Sequence, residues 1–275
     1  MKHFQFVVVV YNNIVDTLSF FDSLSNQIPG DYEFSVVLVD NSDDPQVMLK
    51  IDEATKAFKF VKVLRPKENI GYFPAVSFAL PSLNKNNDYA IVCNNDLVFY
   101  KNFCLNLLKA NYDNEVMVVC PDVITFNGLH QNPHHKHRLR YYEVFYFDLL
   151  YSNYIFAIFF QRISKLTSFV MRLFRHSTLI VRGSRTPQFI DQGIGSIYIL
   201  RPSFLAAIDC KLFYPGFLYC EEACISWQVR YSNGKIFYDP SLKVLHSNGA
   251  TLNQKSNYWR YSYARESYWK IRDRL

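Results

Sequence analysis

Short apolar runs recur through the first 125 residues, and each closes on a polar cluster. Phe6 to Val10 is an uninterrupted, β-branched run that predicts a buried strand; it ends on Tyr11-Asn12-Asn13. Helical spacing follows from Asp16 to Leu24. Val36 to Val39 predicts a second buried strand, ending on the turn cluster Asp40-Asn41-Ser42-Asp43-Asp44-Pro45. Val47 to Phe58 reads as a helix and Phe60 to Leu64 as a third strand. Glu68-Asn69-Ile70-Gly71 is a turn, and a helix is expected from Ala75 to Leu83. Tyr89 to Cys93 predicts a fourth strand that stops at Asn94-Asn95-Asp96. Strands separated by helical stretches imply βαβ units and a parallel sheet, whose ligands bind beyond the carboxyl ends of the strands. Three polar clusters fall at such ends. Neither G-x-G-x-x-G nor a Walker loop is present, which disfavours classical dinucleotide and P-loop sites.

The pattern changes over residues 129–187. Nine Lys/Arg stand there against two acids, Glu143 and Asp148, a local charge of +7. The whole chain carries +6, so the remainder is slightly acidic at −1. Ten of the 20 residues from Tyr141 to Phe160 are aromatic. Two helices are expected, Tyr142 to Phe160 and Arg162 to Phe174. The longest uncharged stretch, Leu149 to Gln161, would span about 20 Å as a helix, short of a hydrocarbon core of about 30 Å. Three readings stay open for this segment: a helical insertion packed on the main domain, a membrane-interface element, or a nucleic-acid patch. The aromatics form one block rather than alternating with the cations, which argues against nucleic acid. His134-His135-Lys136-His137 reads as an exposed basic turn.

Beyond this segment strand patterns return at Gly195 to Leu200, Lys235 to Tyr238 and Leu242 to Leu245, and a tail from Tyr258 to Leu275 mixes Trp with Arg/Lys. The division expected is therefore 1–128, 129–187, 188–257 and 258–275. The chain is 275 residues long and 49% apolar, enough to bury a core without disulfide or metal staples. Six cysteines occur with no C-x-x-C pair, several within apolar runs, as expected of buried thiols in a reducing compartment. The N-terminal apolar run is too short for a signal-peptide core.

Three constellations could carry chemistry. Asn94-Asn95-Asp96 is either a simple turn or a rigidly held carboxylate for a hard divalent cation. Phe217-Leu218-Tyr219-Cys220-Glu221-Glu222 precedes an expected helix around Ile225 to Val229. Its acids either complement the helix dipole or provide a general base in an apolar cleft. His246, in Leu245-His246-Ser247-Asn248-Gly249, is a structural histidine or a metal ligand at a strand end.

Taken in order, these elements resemble the family 2 glycosyltransferases of GT-A fold, over about Phe6 to about Leu252. In particular they are similar to the bacterial rhamnosyltransferase-like members that build O-antigen, lipopolysaccharide and other surface polysaccharides. The resemblance implies an α/β fold with a mostly parallel, Rossmann-like central sheet flanked by helices and carrying the aromatic, basic helical insertion. It implies a nucleotide-sugar side formed by Tyr11, Asn13, Asp40, Asn69, Gly71, Asn94 and Asn95. Asp96 stands in the place of the family's D-x-D metal carboxylate, with His246 completing a Mg²⁺ or Mn²⁺ site. Gly195 and Ser196 would floor the acceptor side. Glu221-Glu222 matches the family's Glu-Asp pair, with Glu222 favoured as the base. The implied activity is inverting, metal-dependent transfer of one sugar from a nucleoside-diphosphate sugar to a saccharide acceptor, lipid-linked by expectation. The expected location is the cytoplasm, peripheral on the inner face of the cell membrane, with no nucleic-acid partner. Alternatives are a nucleotidyltransferase and a catalytically silent, membrane-docking sheet domain. This chain departs from the family at Val10, at Pro74-Ala75-Val76-Ser77 and at Glu222, which is one methylene longer than Asp. It also lacks the Gln-x-x-Arg-Trp of processive members, which points to a single addition per acceptor.

Overall fold

The computed structural model describes residues 1–83, 88–160, 186–247 and 256–275. Its strands are β1 (Lys2–Val10), β2 (Tyr32–Asp40), β3 (Val61–Leu64), β4 (Tyr89–Asn94), β5 (Leu97–Phe99), β6 (Val116–Thr125), β7 (Gln188–Ile190), β8 (Ile197–Leu200) and β9 (Lys235–His246). They form one sheet in the order β3-β2-β1-β4-β8-β6-β9-β5, with β7 also on β9. Strands β1–β4, β6 and β9 share one direction, while β5, β7 and β8 run against it. The fold is thus the expected α/β arrangement with a mostly parallel sheet.

Alternate residues of β1 enter two cores. Phe4, Phe6, Val8 and Val10 join one with Phe20, Phe99 and Phe103. Val7 and Val9 join the other with Phe73, Tyr198 and Phe204. Helices therefore cover both faces, and the strands can be apolar throughout. On the first face lie α1 (Ile14–Ser25), α2 (Pro45–Thr55) and α4 (Phe103–Lys109). On the second lie α3 (Tyr72–Ala79), α6 (Pro202–Ala207) and α7 (Glu221–Tyr231). The remaining helices, α5 (Tyr141–Ser152) and α8 (Asn257–Ile271), pack on each other beyond the sheet.

Several elements differ from the sequence expectation. The helix expected over Tyr142 to Phe160 stops at Ser152, because Asn153 is extended (φ −152°, ψ 145°) and its side chain accepts from the Ile155 N–H. That side chain caps a new helical stretch over 154–160. The helix expected over Arg162 to Phe174 lies outside the described residues. The two short strands expected after residue 234 are one bent strand, β9. Its register against β6 jumps between Pro121↔Asp239 and Asp122↔Lys243, a bulge that absorbs Pro240, which has no N–H for the ladder. Strand β6 is unanticipated because Pro121 interrupts its apolar run, and the same bulge accommodates it. Helix α3 begins at Tyr72, three residues earlier than expected, and α2 ends at Thr55 rather than Phe58. All six cysteines are free thiols. Among the described residues, no helix is long and apolar enough to cross a membrane.

Candidate active site

The carboxyl ends of β1, β2 and β4 meet at one edge of the sheet. Beyond β1, the Tyr11 hydroxyl donates to Asp43 (2.9 Å), and Asn12 adopts a left-handed backbone (φ 49°). Asn13 caps α1 by accepting from the Asp16 N–H (3.2 Å). Asp40, at the end of β2, is buried and accepts from the Ser42 N–H (3.1 Å) and from Nε of Arg65 (2.8 Å). Arg65 also grips Asp52 (2.8 Å), so it ties the end of β2 to α2. Asn41 donates to the Gly71 carbonyl (3.0 Å), and Asn69 accepts from the Gly71 N–H (3.0 Å). These bonds hold the Asn-x-Gly turn against the β2 end.

Gly71 cannot be another residue here. Its φ is +88°, and a Cβ would lie 2.6 Å from the Phe217 carbonyl oxygen. The Asn-x-Gly turn thus abuts the loop leading to Glu221-Glu222, which is 146 positions away from residue 71 at Phe217.

At the end of β4 the three candidates divide. Asn94 lines the cavity described below. The Asn95 amide is buried and donates to the Asn13 carbonyl (3.0 Å) and the Thr17 hydroxyl (2.9 Å), so it braces the turn against α1. Asp96 points toward β9, with Oδ2 lying 3.3 Å from Nε2 of His246. Backbone pairing of Leu97 with His246 fixes that approach.

The other imidazole nitrogen, Nδ1, lies 2.7 Å from the Gln131 amide oxygen. An amide oxygen can only accept, so Nδ1 turns a proton toward Gln131 and Nε2 is the nitrogen that faces the carboxylate. An imidazole nitrogen and a carboxylate oxygen that face each other can share a cation, either a proton or a metal ion. The donor set therefore fits a divalent cation. Among the described residues no group of three His, Cys, Asp or Glu forms a metal cage. Two protein ligands suit an ion that completes its shell with phosphate oxygens and water, as Mg²⁺ commonly does.

Glu221 and Glu222 begin α7. Two consecutive non-glycine residues before them, Tyr219 (φ 70°) and Cys220 (φ 65°), are left-handed, an arrangement that costs on the order of 1–3 kcal/mol per residue. The surrounding contacts enforce it. The Tyr214 hydroxyl donates to the Tyr219 carbonyl (2.7 Å), and the Ser267 hydroxyl of α8 donates to the Leu218 carbonyl (2.7 Å). Glu221 is 8% exposed and accepts from the Tyr219 N–H (3.1 Å) and the Tyr214 hydroxyl (3.3 Å). Glu222 accepts from the Gly195 N–H (2.9 Å); a Cβ at Gly195 would sit 2.8 Å from that same carboxylate oxygen.

These groups line a cavity of about 220 Å³ with Tyr72, Asn94, Ser196 and His246. The Tyr72 and Ser196 hydroxyls are buried there without a partner among the described residues. Burial, then Cys93 and the Glu221, Asp96 and Glu222 carboxylates, push the Tyr72 phenol well up. It remains a hydrogen-bond donor.

The structure thus gathers Asn94, Gly195, Ser196, Glu221, Glu222 and His246 around one cavity, with Asp96 behind His246. Tyr11, Asn13, Asp40, Asn69 and Gly71 lie on the rim formed by the β1 and β2 ends and the Asn-x-Gly turn, each held by neighbours in those loops. Sequence reasoning missed Arg65, Tyr72, Gln131, Tyr214 and Ser267. Arg65 directly follows an apolar strand, a position that could have flagged it; Gln131 and Ser267 arrive through long-range contacts that carry no local signal.

Burial first, and the Glu222 carboxylate second, push Glu221 up from 4.5 to about 8. The native state holds that proton more tightly than the unfolded chain. Its contribution is complete below about 4.5 and is lost as pH rises through about 8. Urea unfolding midpoints of the wild type should therefore fall between about pH 5 and about pH 8 relative to Glu221→Gln, which keeps the two accepted hydrogen bonds. Parallel pH profiles for the two proteins would show that Glu221 ionises normally.

The chain matches the family described as Glycosyl transferase family 2 over residues 5–176, more than half its length. No curated protein matches it. Among solved structures it is similar to GalNAc-T7 with UDP, GalNAc and Mn²⁺ (17% identity, TM-score 0.59, covering 90% of this chain and 44% of that one). It is also similar to S. aureus TarS 1–349 in complex with UDP-GlcNAc (17%, 0.58, 93% and 62%). A third is the mannosyltransferase PcManGT from Pyrobaculum calidifontis in complex with GDP-Man and Mn²⁺ (12%, 0.55, 98% and 60%). The chain spans 44% to 62% of the length of these three, and at such identities the likeness shows the fold. With that match over more than half of its length and a central sheet shared with these neighbours, the chain belongs to glycosyl transferase family 2 and has a GT-A fold.

Proposed function

We propose that this chain transfers a single sugar from a nucleoside-diphosphate sugar to a saccharide acceptor hydroxyl, with inversion at the anomeric carbon. The observation that carries the reading is the pair of adjacent glutamates in a small cavity shared with His246, Asn94 and Ser196. Burial pushes the Glu221 carboxyl up to about 8, and Glu222, aimed by the Gly195 N–H, is the member of the pair assigned the role of base. Glu222 takes the proton from the acceptor hydroxyl as that oxygen attacks the anomeric carbon from the face opposite the diphosphate. The electron pair of the sugar–phosphate bond leaves on the diphosphate, and one displacement inverts the configuration. Ser196 and Tyr72 offer hydroxyl donors to the sugar. Tyr11, Asn13, Asp40, Asn69, Gly71, Asn94 and Asn95 form or brace the nucleotide side, and Arg65 stiffens it. Asp96 and His246 would hold Mg²⁺ or Mn²⁺, which supplies positive charge against the leaving diphosphate. The complexes of the structural neighbours, with UDP-GlcNAc in one and with GDP-Man and Mn²⁺ in another, support this donor class.

The acceptor reading rests on the basic aromatic segment. One face of α5 packs on α8, where Arg272 pairs with Asp148 (2.7 Å) and Tyr268 donates to Asp148 (2.6 Å). Its other face exposes Tyr141, Tyr142, Phe145, Tyr146 and Leu149, and Ile155, Phe156 and Phe159 continue the exposed surface. Helical spacing of four places Tyr141, Phe145 and Leu149 on one stripe of α5, beside exposed Lys136, Arg138 and Arg140. Such a stripe suits the interface of an anionic membrane and a lipid-linked acceptor of surface-polysaccharide or O-antigen synthesis, with the protein peripheral on the cytoplasmic face.

Three outcomes test the proposal. Across a panel of nucleotide sugars with Mn²⁺, one donor should be consumed, and Glu222→Gln should lower kcat about 10²–10⁴-fold while leaving donor binding near wild type; near-normal turnover would remove Glu222 from the role of base. Asp96→Ala should abolish the response of turnover to added Mn²⁺, and an unchanged metal titration would exclude the Asp96 site. Flotation should recover the protein with phosphatidylglycerol vesicles at low salt. Release is expected as ionic strength rises toward about 1 M, where screening shortens to about 3 Å, and Phe145→Glu with Phe156→Glu should prevent recovery.

A further inference from the structure

A second, larger space adjoins the carboxylate cavity. It occupies about 720 Å³ between α5, the helical stretch 154–160 and α8. This is within the range of about 300–1,000 Å³ usual for ligand sites, whereas the carboxylate cavity at about 220 Å³ is smaller. Tyr219 lines both spaces, so the groove opens beside the glutamates. Its walls are tyrosine rings in mutual contact: Tyr154 and Tyr261 have centroids 5.0 Å apart, and Tyr151 and Tyr261 6.0 Å apart. The wall is well anchored. Arg265 Nε (2.8 Å) and Trp269 Nε1 (3.1 Å) both donate to the Tyr151 carbonyl, and the left-handed backbone of Tyr219 is held by Tyr214.

One cation enters this groove. Arg260 donates to Asn257 Oδ1 (2.5 Å), and among the described residues no carboxylate lies within ion-pair distance of it. A guanidinium with N–H groups to offer, set among aromatic faces, matches a ligand that is both ring-shaped and anionic. Sugar rings present polarised C–H groups that pack on the negative faces of aromatic rings. Arginine recognises phosphate oxygens through paired N–H donors. The position beside Glu221 and Glu222 is where an attacking hydroxyl must arrive.

We infer that this tyrosine-lined groove is the acceptor site, and that it takes a saccharide bearing a phosphate or diphosphate group, with the sugar on Tyr154, Tyr219 and Tyr261 and the anion on Arg260. The inference rests on the glycosyl-transfer reading for its function, but the binding it describes is measurable without turnover. The full-length chain is tested by saturation-transfer NMR with the 1-phosphates of glucose, galactose, N-acetylglucosamine and N-acetylgalactosamine, with their methyl glycosides, and with inorganic phosphate. Saturation of ring protons is expected for at least one glycosyl 1-phosphate. Tyr154→Ala and Tyr261→Ala should each weaken that binding about tenfold, and the Phe variants should restore it. Arg260→Gln should weaken the phosphate-bearing probe and leave its methyl glycoside unchanged. A dodecyl-diphosphate-linked form binding more tightly than the 1-phosphate names a lipid-linked source; equal binding names a soluble sugar phosphate.

UDP and GDP titrations of the same variants separate the two readings. Nucleotide binding unchanged in Tyr154→Ala, Tyr261→Ala and Arg260→Gln shows that the variants are folded. If a nucleotide binds but no glycosyl phosphate saturates, or the Tyr and Arg variants bind it like wild type, the groove assignment is overturned. If neither nucleotide binds the wild type, it is the donor reading that fails, and saccharide binding in the groove is judged by its own variants.

Discussion

The constraint on which the site depends is the burial of two adjacent carboxylates at one helix start. Buried unpaired charge is expensive, and two like charges side by side are more so. The protein meets this in three ways. One acid keeps its proton, three hydrogen-bond donors from Tyr214, Tyr219 and Gly195 are aimed at the pair, and the backbone at Tyr219 and Cys220 is forced left-handed to orient it. The last of these would relax without support, and that support comes from outside the catalytic sheet, through the Ser267 hydroxyl of α8. Gly216 lets α8 approach, since a Cβ there would meet Ser267 Oγ at 2.2 Å. Helix α8 is therefore part of the architecture that holds the two glutamates rather than an appendage to it.

The first half of the sheet was legible in the sequence because its strands are buried on both faces and read as unbroken apolar runs. Their polar ends then stood out as clusters, and Asp40, Asn69-x-Gly71 and Asn94-Asn95-Asp96 all fall at such ends. The second half was less legible for physical reasons. Pro121 and Pro240 interrupt β6 and β9, and the bulge that accommodates both is a property of the pair, not of either segment. The three-residue β5 is too short to show a period, yet it brings Asp96 to His246. Gln131, which sets the imidazole proton, and Ser267, which steadies the glutamate loop, act across more than a hundred and nearly fifty residues respectively. No local pattern encodes contacts of that kind.

The basic aromatic segment also changes meaning in three dimensions. In sequence its aromatics form a single block. In the structure they divide, with Phe147 and Tyr151 against Tyr268, Tyr154 against Tyr261, and Tyr141, Tyr142, Phe145, Tyr146, Phe156 and Phe159 exposed. The two acids of the segment have local partners: Glu143 accepts from the Arg140 N–H at the start of α5, and Asp148 clamps Arg272. The inner aromatics build the groove with α8, and the outer ones are free to meet a surface. One helix thus belongs to both a pocket and an exterior stripe, and the two lie back to back.

The contact between Gly71 and the Phe217 carbonyl has a mechanical consequence. Gly71 contributes no side chain there, and the ring of Phe217 lies beside its own carbonyl, so the turn meets backbone and aromatic ring together with little room to absorb a displacement. Packed interiors transmit strain because they compress little. A shift of a few tenths of an ångström in the Asn-x-Gly turn, which is bonded to the β2 end through Asn41, is passed to a loop only four residues ahead of Glu221. Two regions of the chain that look independent in sequence are geared together, and the aim of the carboxylates follows the posture of the Asn-x-Gly turn.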